Sequence, residues 1–569
     1  MAGVNLATRN NMVSLRSLPR QQIAITMAGV MLAMFLASLD QTIVGTAMPR
    51  IIADLGGFAH YTWITTAYLV TSTVVLPIAG KLTDMYGRKY FYIAGLTIFV
   101  VGSLLSGLSQ TMTQIIAFRG LQGIGAGIMM ANAFTVVADL FPPAERGKYI
   151  GLLSGVFGLS SIVGPTLGGF ITDSFSWHWI FYINIPLGIA TIVLFSMFFP
   201  NLRPTSPGHH IDYAGMSTLV ICVVPLLLAL SWGGVEYPWI STPVLGMFAL
   251  SAVAGVFFFI IENRSEAPLI PLGIFRNGIV AISSAIIFFT GFGMFGSIIF
   301  VPLFFQGVLG LSATASGSFL TPMMLGTVFG SFISGQALSR AGGHYRLQGF
   351  LGLAIMALGM ALLSQMGPDT SYARAVANIV LVGFGVGITM PLYMIAIQNA
   401  VPYNVLGVAS STSAFLRSMG GVFGLAIFGS VMTGRFAAES ISRLPAAISA
   451  IIPPQLLSSV THNAQVLVSP EAQAQLKNMF GQFGQQGAAL YEQTFQALRQ
   501  ALNSALAEVF IIGLFVIIIA FIVNLFLKET PLRKQHMASD PPDTGKDPAR
   551  FKADAETKLD SKAVREVEV

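Results

Sequence analysis

Long apolar runs recur along nearly the whole chain and are separated by short polar segments. Runs such as 280–301 and 509–527 reach about twenty residues, enough for an α-helix to cross a hydrocarbon core of roughly 30 Å. The regular apolar–polar alternation of a membrane β-barrel is absent from the sequence. We therefore predict fourteen membrane-spanning helices, near 23–50, 62–81, 90–109, 112–140, 149–172, 179–199, 213–232, 242–261, 278–305, 314–338, 347–366, 374–397, 405–433 and 508–527.

The composition agrees with a chain that resides in lipid. Of the 569 residues, 54% are hydrophobic and 9% are charged, and the mean hydropathy is +0.73. The charged side chains are too few to cover the surface of a water-soluble globular protein of this length. The expected fold class is an all-α polytopic membrane protein.

The basic residues are distributed as in an integral membrane protein. A net charge of +6 is compatible with nucleic-acid binding, but these residues stand singly or in twos and threes between apolar runs, which is the positive-inside pattern. With the N-terminus inside, the short cytoplasmic loops carry Lys81, Arg88, Lys89, Arg146, Lys148, Arg203, Arg264, Arg276, Arg340 and Arg346. The opposite side carries mainly Arg50, Arg435, Arg443, Lys477 and Arg499. Both termini are therefore expected in the cytoplasm.

An internal repeat indicates two similar six-helix halves. Segment 80–89, GKLTDMYGRK, is echoed by segment 335–344, GQALSRAGGH, in which Ser339 replaces the acid and Gly343 replaces the arginine. Parallel halves of this kind commonly form a transporter with its binding site at their interface near the bilayer midplane. The predicted organisation is a cytoplasmic segment 1–22, an N-terminal bundle 23–200, two additional helices within 201–277, a C-terminal bundle 278–527 and a tail 528–569.

Two polar segments near the C-terminus interrupt the series of apolar runs. Segment 434–507 is rich in Gln and Ala with periodic apolar residues, which indicates short amphipathic helices in an extracytoplasmic loop. Such a loop is placed to cover the outer mouth or to contact a partner protein. Segment 528–569 is dense in charges of both signs and poor in apolar residues, which is typical of disorder.

Asp40 is the only acid well inside a predicted span. An intramembrane carboxylate is costly unless it is paired, protonated or lined by water, so it marks a candidate functional site. Burial favours the neutral acid and a nearby cation favours the carboxylate, so a group open alternately to the two sides can bind and release a proton. Arg119, early in the fourth span, is the natural partner. The alternatives are a purely structural Asp40 and an Arg119 that extends to the outer interface.

The loop between the second and third spans places an acid and an arginine at a spacing that lets them form an ion pair. An acid there can cap a helix N-terminus and pair with a nearby arginine, and such a contact can break and reform between two conformations. The alternative is an ordinary charged loop. The predicted gate residues are Gly80, Asp84, Gly87, Arg88 and Lys89.

The fifth span combines small residues with a proline. Glycines at fourfold spacing allow close helix packing in lipid, and a proline kinks the helix that contains it. Plain close packing is the alternative to a moving part. The residues of this kinked, small-residue segment include Gly164, Pro165, Gly168 and Gly169.

Polar residues within the spans are candidates for the wall of a central cavity. Arg417 is a second deep charge, and the second-half spans offer no acid to neutralise it. It faces a water-filled cavity, an anionic group or backbone carbonyls. The substrate-cavity candidates are Gln41, Tyr68, Gln122, Asn132, Gln398 and Arg417.

Sequence motifs of enzymes and ATPases are absent. The sequence contains no P-loop, no His/Cys ligand cluster and no nucleophile elbow, so we expect neither an enzyme nor an ATP, metal or other cofactor site. The single cysteine, Cys222, excludes an intrachain disulfide. The first apolar run is too long for a signal peptide and contains an acid, so no cleavable signal is expected.

Several of these motifs together resemble the major facilitator superfamily, and specifically its fourteen-span drug:proton antiporters of the EmrB and QacA kind. The resemblance covers roughly residues 21–528. It is carried by the first-span motif 39–49, the loop 80–89, Arg119 with Gln122 and Gly123, the segment 164–169 and the segment 177–186.

This resemblance implies a bacterial inner-membrane antiporter, driven by a proton gradient, that alternates between inward-open and outward-open states and exports lipophilic small molecules. It assigns Asp40 and Arg119 to proton coupling, loop 80–89 to the cytoplasmic gate and segment 164–169 to the antiporter hinge. Some members that expel cationic drugs carry further acids in the second half, where this chain carries Arg417. Neutral, anionic and lipid-like substrates therefore stay open.

Other functions fit parts of the same pattern. An exporter of lipids or lipoglycans would use loop 434–507, with a periplasmic or lipoprotein partner, to extract its substrate from the membrane. A non-transporting receptor or scaffold would not need the acid at Asp40. A nutrient symporter would accumulate its substrate inside, and the Gly164-Pro165 motif argues against it by resemblance.

Overall fold

The structure, a computed structural model, describes residues 19–55, 63–200, 211–234, 236–311, 320–340, 344–444, 467, 470–481 and 485–532. Most of the predicted segment 1–22, the loop around Arg203 and most of the tail 528–569 lie outside these residues. Thirteen described helical segments are long and apolar enough to cross a membrane. The chain is therefore an all-helical, multi-pass membrane protein, as predicted.

The first half of the chain forms helices at each of the first eight predicted runs. α6 and α7 together occupy the run 179–199, and α8 and α9 pack against each other, with α8 also lying against α2. The bounds are α1 (Arg20–Leu55), α2 (Trp63–Tyr86), α3 (Arg88–Gly107), α4 (Met112–Leu140), α5 (Pro143–Ser174), α6 (Trp179–Tyr182), α7 (Asn184–Phe198), α8 (Tyr213–Trp232) and α9 (Thr242–Arg264).

The second half follows a short 3-10 helix, Leu272–Arg276. The helix at the run 314–338 is outside the thirteen candidate spans, because its Thr, Ser, Gly, Pro and Gln residues lower its mean hydropathy. Its Ser331 and Ser334 donate hydrogen bonds to backbone carbonyls of a neighbouring helix at 2.9 and 3.1 Å. The bounds are α10 (Gly278–Gly307), α11 (Leu320–Arg340), α12 (Tyr345–Ser364), α13 (Tyr372–Ala400), α14 (Leu406–Arg443), α15 (Pro470–Gly481) and α16 (Gln485–Asn524).

α14 and α16 are longer than their apolar runs predict. α14 continues past the expected end at 433, and α16 begins well before the expected start at 508, inside the predicted loop. The extensions contact each other, since Nη1 of Arg443 donates to Oε1 of Gln500 and Nη2 donates to Oγ of Ser504, both at 3.3 Å. Hydrophobicity marks only the lipid-immersed part of a helix, so helical turns that are stabilised by polar contacts are missed.

Two equivalent helix pairs join the halves at one end of the bundle. A Cβ added to Gly80 of α2 would lie 1.9 Å from Oγ of Ser411 on α14. A Cβ added to Gly335 of α11, the counterpart of Gly80 in the repeat, would lie 2.5 Å from the carbonyl carbon of Gly147 on α5. The repeat in the sequence therefore corresponds to two tight helix contacts, α2 with α14 and α5 with α11, that close this end.

Candidate functional sites

Asp40 lies in the middle of α1 and is completely buried. Its Oδ2 is 2.5 Å from Nη1 of Arg119 on α4. Its Oδ1 accepts hydrogen bonds from Nε2 of Gln122 at 2.8 Å and from Nδ2 of Asn184 at 3.0 Å. The carboxylate therefore has a cation on one oxygen and two neutral amide donors on the other, which is the full set of partners that a buried charge requires.

Arg119 is held within the protein on several sides. Its side chain is 1% exposed, so it does not extend to the membrane interface. Nη1 also donates to Oε1 of Gln122 at 2.8 Å, and the guanidinium carbon lies 4.3 Å from the centre of the Tyr68 ring. The Tyr68 hydroxyl donates to the carbonyl of Ala37, one turn before Asp40 on α1, at 3.2 Å.

This cluster can link a proton to helix position. A proton on Asp40 would remove the negative charge that faces Arg119 and leave a buried cation with neutral partners only. An uncompensated buried charge is strongly unfavourable, so protonation favours a rearrangement of the helices that carry the pair. The charge state of Asp40 and the packing of α1 against α4 are therefore energetically linked through Arg119.

α5 approaches α1 closely beside this ion pair. A Cβ added to Gly164 would lie 2.0 Å from Oγ1 of Thr42, and that hydroxyl donates across the contact to the carbonyl of Ser160 at 3.1 Å. Pro165 follows inside α5, where it removes one backbone donor. Gly169, by contrast, has open space around its added Cβ. The close helix approach of the predicted hinge is therefore located at Gly164.

Asp84, Arg88 and Asp139 form a buried cluster where α2, α3 and α4 meet. Nη2 of Arg88 is 2.5 Å from Oδ1 of Asp84, and Nε is 2.8 Å from Oδ2 of Asp139. Gly87, between α2 and α3, has a φ of +94°, a conformation that glycine adopts without a steric penalty. Lys89 points away and donates to a backbone carbonyl of α7 at 2.9 Å. Two carboxylates thus face one guanidinium, so the cluster has one negative charge in excess and needs a further positive group to stabilise it.

The N-terminus of α14 supplies that positive group from the other half of the protein. The backbone N–H of Val408 donates to Oδ2 of Asp84 at 2.9 Å. A Cβ added to Gly407 would lie 2.2 Å from Oδ1 of Asp84, so a larger residue at this position would displace the carboxylate or the helix. The first N–H groups of a helix carry partial positive charge and favour a carboxylate. Asp84 therefore connects α2 of one half to α14 of the other.

Arg146 forms a second polar connection between the halves at the same end. From the start of α5 its Nη1 donates to Oε1 of Gln398 on α13 at 3.2 Å. Nε2 of Gln398 then donates to Oγ of Ser410 on α14 at 2.9 Å. Arg146 also donates to the carbonyls of Ala138 and Phe141, which fixes its position.

A cavity of about 150 Å³ lies between the halves. That volume holds roughly ten water molecules, at about 10–15 Å³ each. Its walls come from α1, α2, α4, α5, α10, α11, α13 and α14 and consist mostly of Met, Phe and Leu side chains with a few hydroxyl groups. Apolar walls with few polar groups are typical of sites for lipophilic small molecules.

The cavity wall contains three of the six residues that the sequence proposes for it, namely Gln41, Tyr68 and Arg417. Gln122 belongs to the Asp40 cluster instead, and Gln398 contacts Arg146. Asn132 donates to a carbonyl of its own helix at 2.9 Å and is also absent from the cavity wall. The rotation of each helix about its axis decides these positions, and hydrophobicity alone does not indicate it.

Two residues that complete the charged clusters were not singled out from the sequence. Asn184 binds Asp40 from 144 residues away, and Asp139 binds Arg88 from 51 residues away. Asp139 is 2% exposed although it lies at the end of its apolar run. The available signals were the position of Asn184 in segment 177–186, which carries the resemblance, and that of Asp139 at the end of an apolar run, but nothing in the sequence indicates their partners.

Comparison with known proteins agrees with this architecture. The family model described as Major Facilitator Superfamily matches residues 30–425. Multidrug transporter protein MdtP of Bacillus subtilis (strain 168) is 40% identical over 510 residues, which cover 89% of this chain and 93% of that protein. Multidrug resistance protein 3 of the same organism is 43% identical over 411 residues, which cover 72% of this chain and 79% of that protein.

Solved structures add a likeness of fold. The crystal structure of the human organic anion transporter MFSD10 (TETRAN) has a TM-score of 0.54 at 14% identity, covering 88% of this chain and 100% of that chain. At this identity the likeness concerns the fold alone. Because the family model matches most of its length and its relatives are similar over most of theirs, the chain belongs to the Major Facilitator Superfamily.

Proposed function

We propose that this protein is a proton-coupled antiporter that exports lipophilic small molecules by alternating access. The observation that carries the proposal is the buried Asp40–Arg119 pair, whose neighbour Tyr68 also lines the cavity between the halves. A group able to bind a proton is thus one side chain away from a cavity suited to a lipophilic ligand.

The transport class follows from the relatives. MdtP is named a multidrug transporter, and the second relative is named a multidrug resistance protein. In both comparisons the aligned region covers most of the relative's length. The chain is accordingly a multidrug efflux transporter of the major facilitator type and not an enzyme. Its substrates are drug-like small molecules.

We further infer fourteen spans, with α11 as the fourteenth, both termini in the cytoplasm and a bacterial plasma membrane as the location. The positive-inside pattern supports this orientation, because the closed end carries Arg88, Lys89, Arg146 and Lys148. The contacts of Asp84 with α14 and of Arg146 with Gln398 then form the inner gate. An inward-open state requires both contacts to break.

Transport would proceed as an exchange between two states. Substrate loads from the inward-open state, and protonation of Asp40 weakens its hold on Arg119 and resets the protein. Coupling arises because the proton and the substrate favour different conformations. Tyr68 connects the two sites, since its ring faces both Arg119 and the cavity.

Transport in proteoliposomes with an imposed pH gradient tests the proposal. The native chain, Asp40→Asn and Asp40→Glu are compared with a lipophilic fluorescent dye in two assays, gradient-driven accumulation and counterflow without a gradient. We expect Asp40→Asn to abolish accumulation and retain counterflow, and Asp40→Glu to retain part of both. Accumulation by Asp40→Asn at the native rate would refute the assignment of proton coupling to Asp40.

Removal of one partner from a buried ion pair costs about 3–5 kcal/mol, so folding needs a control. The double variant Asp40→Asn/Arg119→Gln removes both charges and should recover stability without recovering accumulation. Dye transport by neither the native chain nor any variant, with all proteins folded, would instead favour export of lipids or lipoglycans. In that case α15, which buries Leu476 and Phe480 one turn apart, is the next segment to delete.

A further inference from the structure

Arg417 of α14 is a charged side chain on the wall of an otherwise uncharged cavity. It is half-buried, and the other lining side chains carry no acidic group. Among the described residues it takes part in no ion pair, and Nη2 donates to the carbonyl of Met390 at 3.4 Å, a long hydrogen bond. A guanidinium has five N–H donors, so most of its capacity is available to a ligand in the cavity.

The backbone that carries Arg417 is fixed by close helix packing. A Cβ added to Gly291 of α10 would lie 2.4 Å from the carbonyl oxygen of Arg417. A Cβ added to Gly420 or Gly424, one and two turns further along α14, would lie 2.0 Å from the carbonyl oxygen of Phe288 or 2.6 Å from that of Phe292. The helix that presents Arg417 to the cavity is therefore held in position by backbone packing and does not have to be ordered when a ligand binds.

The other charges near the cavity do not neutralise Arg417. Asp40 is bound to Arg119, Gln122 and Asn184, and none of these partners belongs to the second half. The cavity therefore carries a net positive field, which is poorly screened between apolar walls. A cationic ligand is repelled there, and an anionic group gains a charge-assisted, two-pronged contact with the guanidinium.

We propose that Arg417 is an anion-recognition site and that the exported substrates include amphipathic organic monoanions. The carboxylate or sulfonate of such a substrate binds the guanidinium, and its lipophilic body lies against Met34, Phe134, Phe157, Met294, Phe295 and Met323. This inference rests on the transport function proposed above and narrows its substrate class.

Three dansyl probes on one alkyl chain, ending in a sulfonate, a methyl ester or a trimethylammonium group, separate charge from lipophilicity. Binding to the purified protein in detergent is followed by dansyl fluorescence for the native chain, Arg417→Gln and Arg417→Lys. Arg374→Gln, at an exposed arginine of α13, is the matched control for loss of one positive charge. The quantity measured is the ratio of sulfonate to ester affinity, which a general loss of folded protein does not change.

We expect Arg417→Gln to lower that ratio at least about tenfold, roughly 1.4 kcal/mol, and to improve binding of the trimethylammonium probe. Arg417→Lys should retain part of the preference, and Arg374→Gln should match the native chain. An unchanged ratio in Arg417→Gln would overturn the proposal. Export of the ester by a protein with no sulfonate preference would refute this inference alone, whereas failure to transport any probe would refute the proposed function.

Discussion

Replacement of Gly407 by alanine tests the carboxylate contact that joins the two halves. The added Cβ would lie 2.2 Å from Oδ1 of Asp84 and 2.6 Å from its Cγ. These distances are far below van der Waals contact, so either the carboxylate leaves the N-terminus of α14 or α14 moves away from α2. Both responses break the hydrogen bond from the N–H of Val408 to Asp84.

The expected cost follows from what this contact contributes. Loss of a helix cap costs about 0.5–2 kcal/mol. A carboxylate at a partly buried helix N-terminus contributes up to about 2 kcal/mol through the helix dipole, and the two effects overlap because one carboxylate supplies both. Since Asp84 keeps Arg88 as a partner, we expect the closed arrangement to lose about 1–2 kcal/mol. The ratio of open to closed molecules should then rise about 5- to 30-fold.

Electron paramagnetic resonance measures this ratio as a distance distribution. Spin labels at Tyr90→Cys on α3 and Leu347→Cys on α12, both exposed and at the closed end, report the separation of the halves. The background carries Cys222→Ser, which removes the native thiol. The distribution should shift toward longer distances in Gly407→Ala.

Gly429→Ala provides the matched control, because it lies on the same helix and its added Cβ has no atom within 4 Å. A Gly407→Ala distribution identical to that of Gly429→Ala would refute the reasoning. Combination with Asp84→Asn adds a second check. Because both changes act on one contact, their effects should be far from additive.

Three further variants test other contacts. Gly164→Ala should lower the free energy of unfolding in detergent by about 1–3 kcal/mol through overpacking, because its Cβ would lie 2.0 Å from the Thr42 hydroxyl. The control Gly169→Ala, whose Cβ lies in open space, should be as stable as the native chain. Gly87→Ala should cost about 1–2 kcal/mol in the same melting assay, since the φ of +94° is unfavourable for residues with a Cβ; an unchanged melting temperature would contradict this. Tyr68→Phe loses a hydrogen bond to α1, worth about 1 kcal/mol, but keeps the aromatic ring over the Arg119 guanidinium. It should therefore impair gradient-driven transport less than Tyr68→Leu does. An equal loss of transport in both variants would show that the ring does not contribute to coupling.

The sequence by itself determined which segments are helices and where the unusual charges lie. A backbone in hydrocarbon must satisfy its hydrogen bonds internally, so each long apolar run can only be a helix. Asp40 and Arg119 stand out because a charge within such a run is costly, and their pairing follows from that cost. The α11 segment has a lower mean hydropathy than the other spans because it contains Thr, Ser, Gly and Gln, and two of its serines bind a neighbouring helix.

Only the tertiary structure decided which residues meet across the fold. The Asp84 carboxylate and the N–H of Val408 are 324 positions apart, and Arg146 and Gln398 are 252 apart. Membrane helices are surrounded by apolar groups on every side, so hydrophobicity does not indicate which face of a helix points inward. Packing of small residues sets that rotation. It turns Arg417 toward the cavity and Asn132 away from it, although both are polar residues in apolar runs.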